Sequence, residues 1–192
     1  MTKETFRDEF IAEDEDLARL AGCEQLTGNM VIGGTNLESL EGLEHLHTVR
    51  GSVSITSNSN LASLAGLERL SRIGRDLRIE FNASLSDLSG LENLEDVGGY
   101  CSISNNPSLT NLDGLKGLCS IGGYLSIIGN PSLASLDIPI LSTVGGSIAV
   151  SHNAALRDRA GVDRIVDVCA LKNAIIDIAQ GSELSLGDRS DG

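Results

Sequence analysis

The sequence predicts a mainly-β chain folded as a right-handed parallel β-helix, a leucine-rich solenoid of about six coils with short helical end caps. Three observations carry this. A strand-like motif recurs every 24 residues: its first apolar position reads Val53, Leu77, Cys101, Leu125 and then, 23 on, Ile148, and its second reads Ile55, Ile79, Ile103, Ile127, Val150. An Asn closes each motif, at Asn58, Asn82, Asn106, Asn130 and Asn153. The connecting segments carry an apolar residue at every third position, as in Leu61, Leu64, Leu67, Leu70 and Ile73. A step of three drifts off any one helical face, and Gly66, Gly90 and Gly114 inside these segments each disfavour helix by about 1 kcal/mol against Ala.

In chain order, residues 1–15 read as an N-terminal cap, with an amphipathic helix over 2–12 that puts Phe6, Phe10 and Ile11 on one side. The acidic run Glu13 to Asp16 suits a solvated end of the stack. Residues 16–157 are the repeats. Leu17, Leu20, Cys23 and Leu26 already occupy leucine positions, and strands follow at 28–32, 51–56, 75–80, 99–104, 123–128 and 146–151. Thr35 replaces Asn at the first turn, which should make that coil the least regular. The Asn column is read as inward amides that satisfy backbone groups left unpaired at the turns. Gly99, Gly123 and Gly146 open strands where the chain bends. Residues 158–186 form a C-terminal cap, with helical spacing at Val162, Ile165, Val166 and Cys169 and a last edge strand at 176–178; residues 187–192 read as a disordered tail.

Composition excludes several functions. A net charge of -13 argues against nucleic acid and against an anionic membrane surface. There is no apolar run of about 20 residues, so no membrane insertion is expected. Taken as complete, the chain reads as cytoplasmic, since its start lacks a secretory apolar core; as a mature or excised fragment it reads as extracellular or cell-surface. The four cysteines form no CxxC pair, and Cys23 and Cys101 fall on inward positions as small hydrophobes. His45, His47 and His152 have no ligand-spaced companions, so no metal is assigned, and no cofactor. No nucleophile elbow or phosphate loop occurs, and no catalytic residue is assigned. The sequon at Asn82 falls on the inward ladder and reads as chance.

The outward strand positions form three columns. One reads Asn29, Ser52, Asp76, Tyr100, Tyr124, Ser147; the next Val31, Ser54, Arg78, Ser102, Ser126, Ala149; the third Gly33, Thr56, Glu80, Ser104, Ile128, Ser151. Asp76 and Glu80 flank Arg78 and read as a local ion pair rather than an acid–base couple. Tyr100 beside Tyr124 on a flat polar sheet is the pattern of a recognition anchor. The blander reading is that the two rings merely cover the sheet. The ladders are too irregular for a lattice match to ice.

The run Gly-x-Leu-x-Ile-x-x-Asn-x-x-Leu-x-x-Leu-x-Gly-Leu-x-x-Leu-x-x-Ile, as in residues 75–97 and 99–121, resembles the receptor L domain, the leucine-rich β-helix of insulin- and epidermal-growth-factor-type receptor ectodomains. It departs from common leucine-rich repeats in placing Leu three residues after Asn instead of two. The resemblance spans about residues 16–168 and implies non-enzymatic recognition of a ligand or partner. No Cys-rich module, membrane span or kinase accompanies it, so receptor activity does not carry over.

The expected function is therefore a non-enzymatic binding or scaffold module. Its contact surface is the outward face around Tyr100, Tyr124, Arg78, Glu80 and Ile128, and its partner is a protein. The alternatives are a carbohydrate-binding or carbohydrate-cleaving β-helix and a purely structural spacer.

Overall fold

The computed structural model describes residues 5–6, 9–11, 14–157, 160–161, 163–164 and 176–177, with side chains for 15–157, 160–161 and 163–164. The elements are β1 (Thr5–Phe6), β2 (Glu9–Ile11), α1 (Asp14–Leu20), β3 (Gln25–Leu26), β4 (Met30–Gly33), β5 (Thr48–Val49), β6 (Val53–Thr56), β7 (Arg72–Ile73), β8 (Leu77–Glu80), β9 (Asp96–Val97), β10 (Cys101–Ser104), β11 (Ser120–Ile121), β12 (Leu125–Ile128), β13 (Thr143–Val144), β14 (Ile148–Ser151) and β15 (Ile176–Asp177). Among the described residues they form two parallel sheets. The short strands stack in the order β1-β3-β5-β7-β9-β11-β13, and the longer ones as β2-β4-β6-β8-β10-β12-β14-β15. Each turn of chain contributes one strand to each sheet, which makes the fold a β-solenoid.

The 24-residue repeat becomes the register. Val53 pairs with Leu77, Leu77 with Cys101, and Cys101 with Leu125; Leu125 pairs with Ile148, across the 23-residue step. Apolar residues that repeat at this interval stack into columns, and those columns are one continuous core from Leu17 to Leu156. Leu85, Leu88, Leu91 and Leu94 are all fully buried, so four residues spaced by three line one wall. Each such burial stabilises by about 1.5–3 kcal/mol. Cys23 and Cys101 sit in this core as expected, and burial pushes the Cys101 thiol up to about 12.

The Asn column is buried and hydrogen-bonded from coil to coil. The amide nitrogens of Asn82, Asn106 and Asn130 donate to the carbonyls of Ile55, Ile79 and Ile103 of the preceding coil, each at 2.9 Å. Their oxygens accept from the backbone N–H of the residue one coil earlier. Thr35 joins this ladder without disturbing the first coil: its N–H and hydroxyl both donate to Asn58 Oδ1, and β4 keeps register with β6.

Three expectations are corrected. The helix over residues 2–12 is replaced by β1 and β2, which pair with β3 and β4. Edge strands on the first coil would leave backbone groups unpaired, and added strands satisfy them where a helix would not. The helix present, α1, begins in the acidic run. The strands also start two residues later than the motif, and the glycines before them serve packing more than bending. A Cβ on Gly123 would stand 2.9 Å from the backbone of Gly99 and Tyr100. At the C-terminal end, Ala160, Gly161, Asp163 and Arg164 are helical and β15 pairs with β14. The rest of the helical stretch to Ala170 and the tail from 187 lie outside the described residues.

Candidate functional site on the outward sheet face

The second and third outward columns are set by strand register: Ser54, Arg78, Ser102 and Ser126 align, as do Thr56, Glu80, Ser104 and Ile128. Tyr100 and Tyr124 each stand one residue before a strand, so the same register holds them one coil apart. The five residues singled out in the sequence thus lie on one face, contributed by β8, β10 and β12 and the residues that lead into them.

The two rings are stacked, with centroids 4.6 Å apart and planes inclined by 4°. The guanidinium of Arg78, one coil earlier, lies 5.1 Å from the Tyr100 centroid. Arg78, Tyr100 and Tyr124 therefore form a three-member stack along the solenoid axis, and the ring attraction for a cation stabilises its lower end. Tyr124 is exposed, at 42%, whereas Tyr100 is half-buried. The Tyr100 hydroxyl is buried with no hydrogen-bond partner.

The expected ion pair around Arg78 does not form, because each carboxylate is engaged elsewhere. Asp76 accepts from the Tyr100 N–H at 3.1 Å and from the Ser52 hydroxyl at 3.3 Å. Glu80 accepts from the Ser102 hydroxyl at 2.6 Å, and that hydroxyl lies 3.3 Å from the Ser104 hydroxyl. The carboxylates thereby brace the base of the stack and leave Arg78 to the ring. Ser102 and Ser104 point outward by register yet are buried, at 7% and 9%. Ile128 is half-buried in the same column, between Ser104 and Ser151.

Phe81 escaped assignment at the sequence level because its direction could not be read. It follows Glu80 at the corner before Asn82, has φ 59°, and is 56% exposed. The corner repeats this left-handed conformation at Ser57, Asn105 and His152, and with glycine at Gly34 and Gly129. A bulky side chain there costs about 1–3 kcal/mol in backbone strain. The signal available was the column itself, in which Phe81 stands among Gly34, Ser57, Asn105, Gly129 and His152.

A shallow cleft of about 260 Å³ below the stack is lined by Asn29, Val31, Ser52, Ser54, Arg78 and Tyr100, among others. A larger cavity of about 670 Å³ lies between α1 and residues 36–42. It has no aromatic or cationic lining, and it marks the seam where the helix stands in for a coil segment. Among the described residues no group of three or more His, Cys, Asp or Glu is placed to hold a metal. His47 faces Glu24 at 3.5 Å. No helix among them is long and apolar enough to cross a membrane.

Residues 22–85 match the family model of the Receptor L domain. The resemblance drawn from the repeat thus holds for that part of the chain, on a β-solenoid, and the matched family is one of ligand- and protein-binding modules. No curated protein and no solved structure matches the chain.

Proposed function

We propose that the solenoid is a non-enzymatic recognition module that binds a protein on the outward sheet face around Tyr100, Tyr124, Arg78, Glu80 and Ile128. The observation that carries this is the Arg78–Tyr100–Tyr124 stack. Its rings are held in place by packing, so little side-chain freedom is lost on contact, and rigid aromatics beside an Arg are the usual composition of binding hot spots. The likeness to the Receptor L domain supports the reading and favours an extracellular setting over a cytoplasmic one.

The carbohydrate reading is weaker on the same geometry. Both faces of Tyr100 are covered, by Arg78 and Tyr124, so only one ring face remains for a sugar to stack on. Cleavage would need two carboxylates free to face a substrate, and Asp76 and Glu80 are tied to Tyr100, Ser52 and Ser102.

The test is cross-linked capture from native lysate with the wild type and a Tyr100→Ala/Tyr124→Ala double variant of unchanged Tm. A protein captured by the wild type and lost in the variant supports the assignment. Equal capture by both moves the contact to the corners or the ends of the stack. Binding on a glycan array without any protein capture would favour the carbohydrate reading.

A further inference from the structure

Among the described residues the stack is open at one end, where the Tyr124 ring is exposed. Arg78, Tyr100 and Tyr124 come from successive coils, so the covered face of Tyr124 is turned toward Tyr100 and its other face toward the coil of β14. On that coil the same column holds Ser147 and the next holds Ala149, after Gly145 and Gly146. No side chain long enough to reach the ring stands in these columns, and among the described residues none makes a ring contact with this face. The result is a slot above the ring with an aromatic floor, where one flat group stacked on Tyr124 would take up one coil spacing, about 4.8 Å.

We infer that this slot takes an arginine side chain of a protein partner. Three observations select it. The chain carries a net charge of -13, so a cationic segment is drawn to it from a distance. The outward positions of β10, β12 and β14 carry no charge, so nothing on these three strands repels a guanidinium, and the next strand places Asp177 in register with Ala149. The lower end of the same stack is already closed by a guanidinium, Arg78 on Tyr100 at 5.1 Å, a pairing that the slot repeats with the partner's group. A lysine ammonium lacks the plane that fills the slot. The inference deepens the proposed function and rests on it for the identity of the partner's surface.

The chain has two tyrosines and no tryptophan, so its intrinsic fluorescence reports on this stack alone. The probe is a blocked peptide of alternating Gly and Arg, compared with Gly–Lys, Gly–citrulline and Gly–Phe peptides at about 0.15 M salt, read by tyrosine fluorescence and by calorimetry. The Gly–Arg peptide should bind the wild type about tenfold more tightly than it binds Tyr124→Leu. It should also lose affinity in Ser147→Tyr, which fills the slot from within, and the citrulline peptide should fail. Equal binding to wild type and Tyr124→Leu would reduce the effect to general attraction by an acidic surface and overturn the assignment. A Gly–Phe peptide that binds as well as Gly–Arg would overturn the cation. Arginine binding at Tyr124 together with partner capture that survives the double variant would uphold the slot and defeat the proposed function; the reverse pattern would defeat the slot alone.

Discussion

Asn82 and Asn106 stand one coil apart, and a single oxygen joins them: Asn106 Oδ1 accepts the Asn82 backbone N–H at 3.0 Å and its side-chain amide at 3.2 Å. Asn106 in turn donates to the Ile79 carbonyl. Both residues are fully buried. Asn106→Ala would strand two donors and one acceptor where water cannot reach them. Each stranded group costs about 1–3 kcal/mol, so we expect a loss of at least about 3 kcal/mol, measurable by urea unfolding. A loss below about 1 kcal/mol would mean that the ladder is dispensable.

The leucine columns and the acidic column beside them should differ in cost. Leu88→Ala leaves a cavity in mid-stack and should cost about 2–5 kcal/mol. Glu92 lies on the surface, yet its carboxylate accepts the Gly90 N–H at 2.9 Å, as Glu68 does for Gly66 and Glu44 for Gly42. Glu92→Ala should therefore cost about 0.5–1.5 kcal/mol. In the next coil Lys116 takes this place and has no acceptor, and a short 3-10 helix at Asp113–Leu115 replaces the turn. Equal melting temperatures for the Leu88 and Glu92 variants would contradict the assignment of the coils.

Phe81 holds a strained backbone while exposing its ring. Phe81→Gly should raise stability by about 1 kcal/mol, since glycine adopts this corner freely, as Gly34 and Gly129 do. If Phe81 borders the contact surface, the same variant should bind the captured partner more weakly. A variant that gains stability with no change in binding would make Phe81 a bystander.

Acid should weaken the fold through Asp87. Hydrogen bonds from Ser89, its hydroxyl first, and from Ser86 hold this carboxyl below its ordinary range against partial desolvation. Its folded-state pKa is thus lower than its unfolded one. The stabilisation is complete above the unfolded value, about 4, and disappears as pH falls through the folded one. Denaturation of wild type and Asp87→Asn should differ at neutral pH and converge once the pH has fallen below the folded-state value. Parallel curves would contradict it.

How much of this was legible in the sequence follows from what repeats. Leu77, Ile79 and Asn82 recur at one interval, and a recurring residue in a stack has one available neighbour, its own copy. Fold, register and the Asn ladder were readable for that reason. The stacking of Tyr100 on Tyr124 was readable too, because the two are one repeat apart. The partners of Asp76, Arg78 and Glu80 were not, since three charges on one strand admit several pairings and rotamers choose among them. Nor was the reason for the glycines that precede the strands: a Cβ on Gly98 would meet the Gly74 carbonyl oxygen at 2.3 Å, a clash set by the spacing between coils. The first strands were misread because Phe6, Phe10 and Ile11 fit a helical face while the open edges of β3 and β4 select extended chain.

The most direct measurement places a photo-crosslinking residue at Ser126, between the columns of Tyr124 and Ile128, and in a second sample at Ser120 on the opposite sheet. Recognition by the outward face predicts a cross-linked partner from position 126 and none from position 120. A partner joined only from position 120, or equally from both, would contradict it.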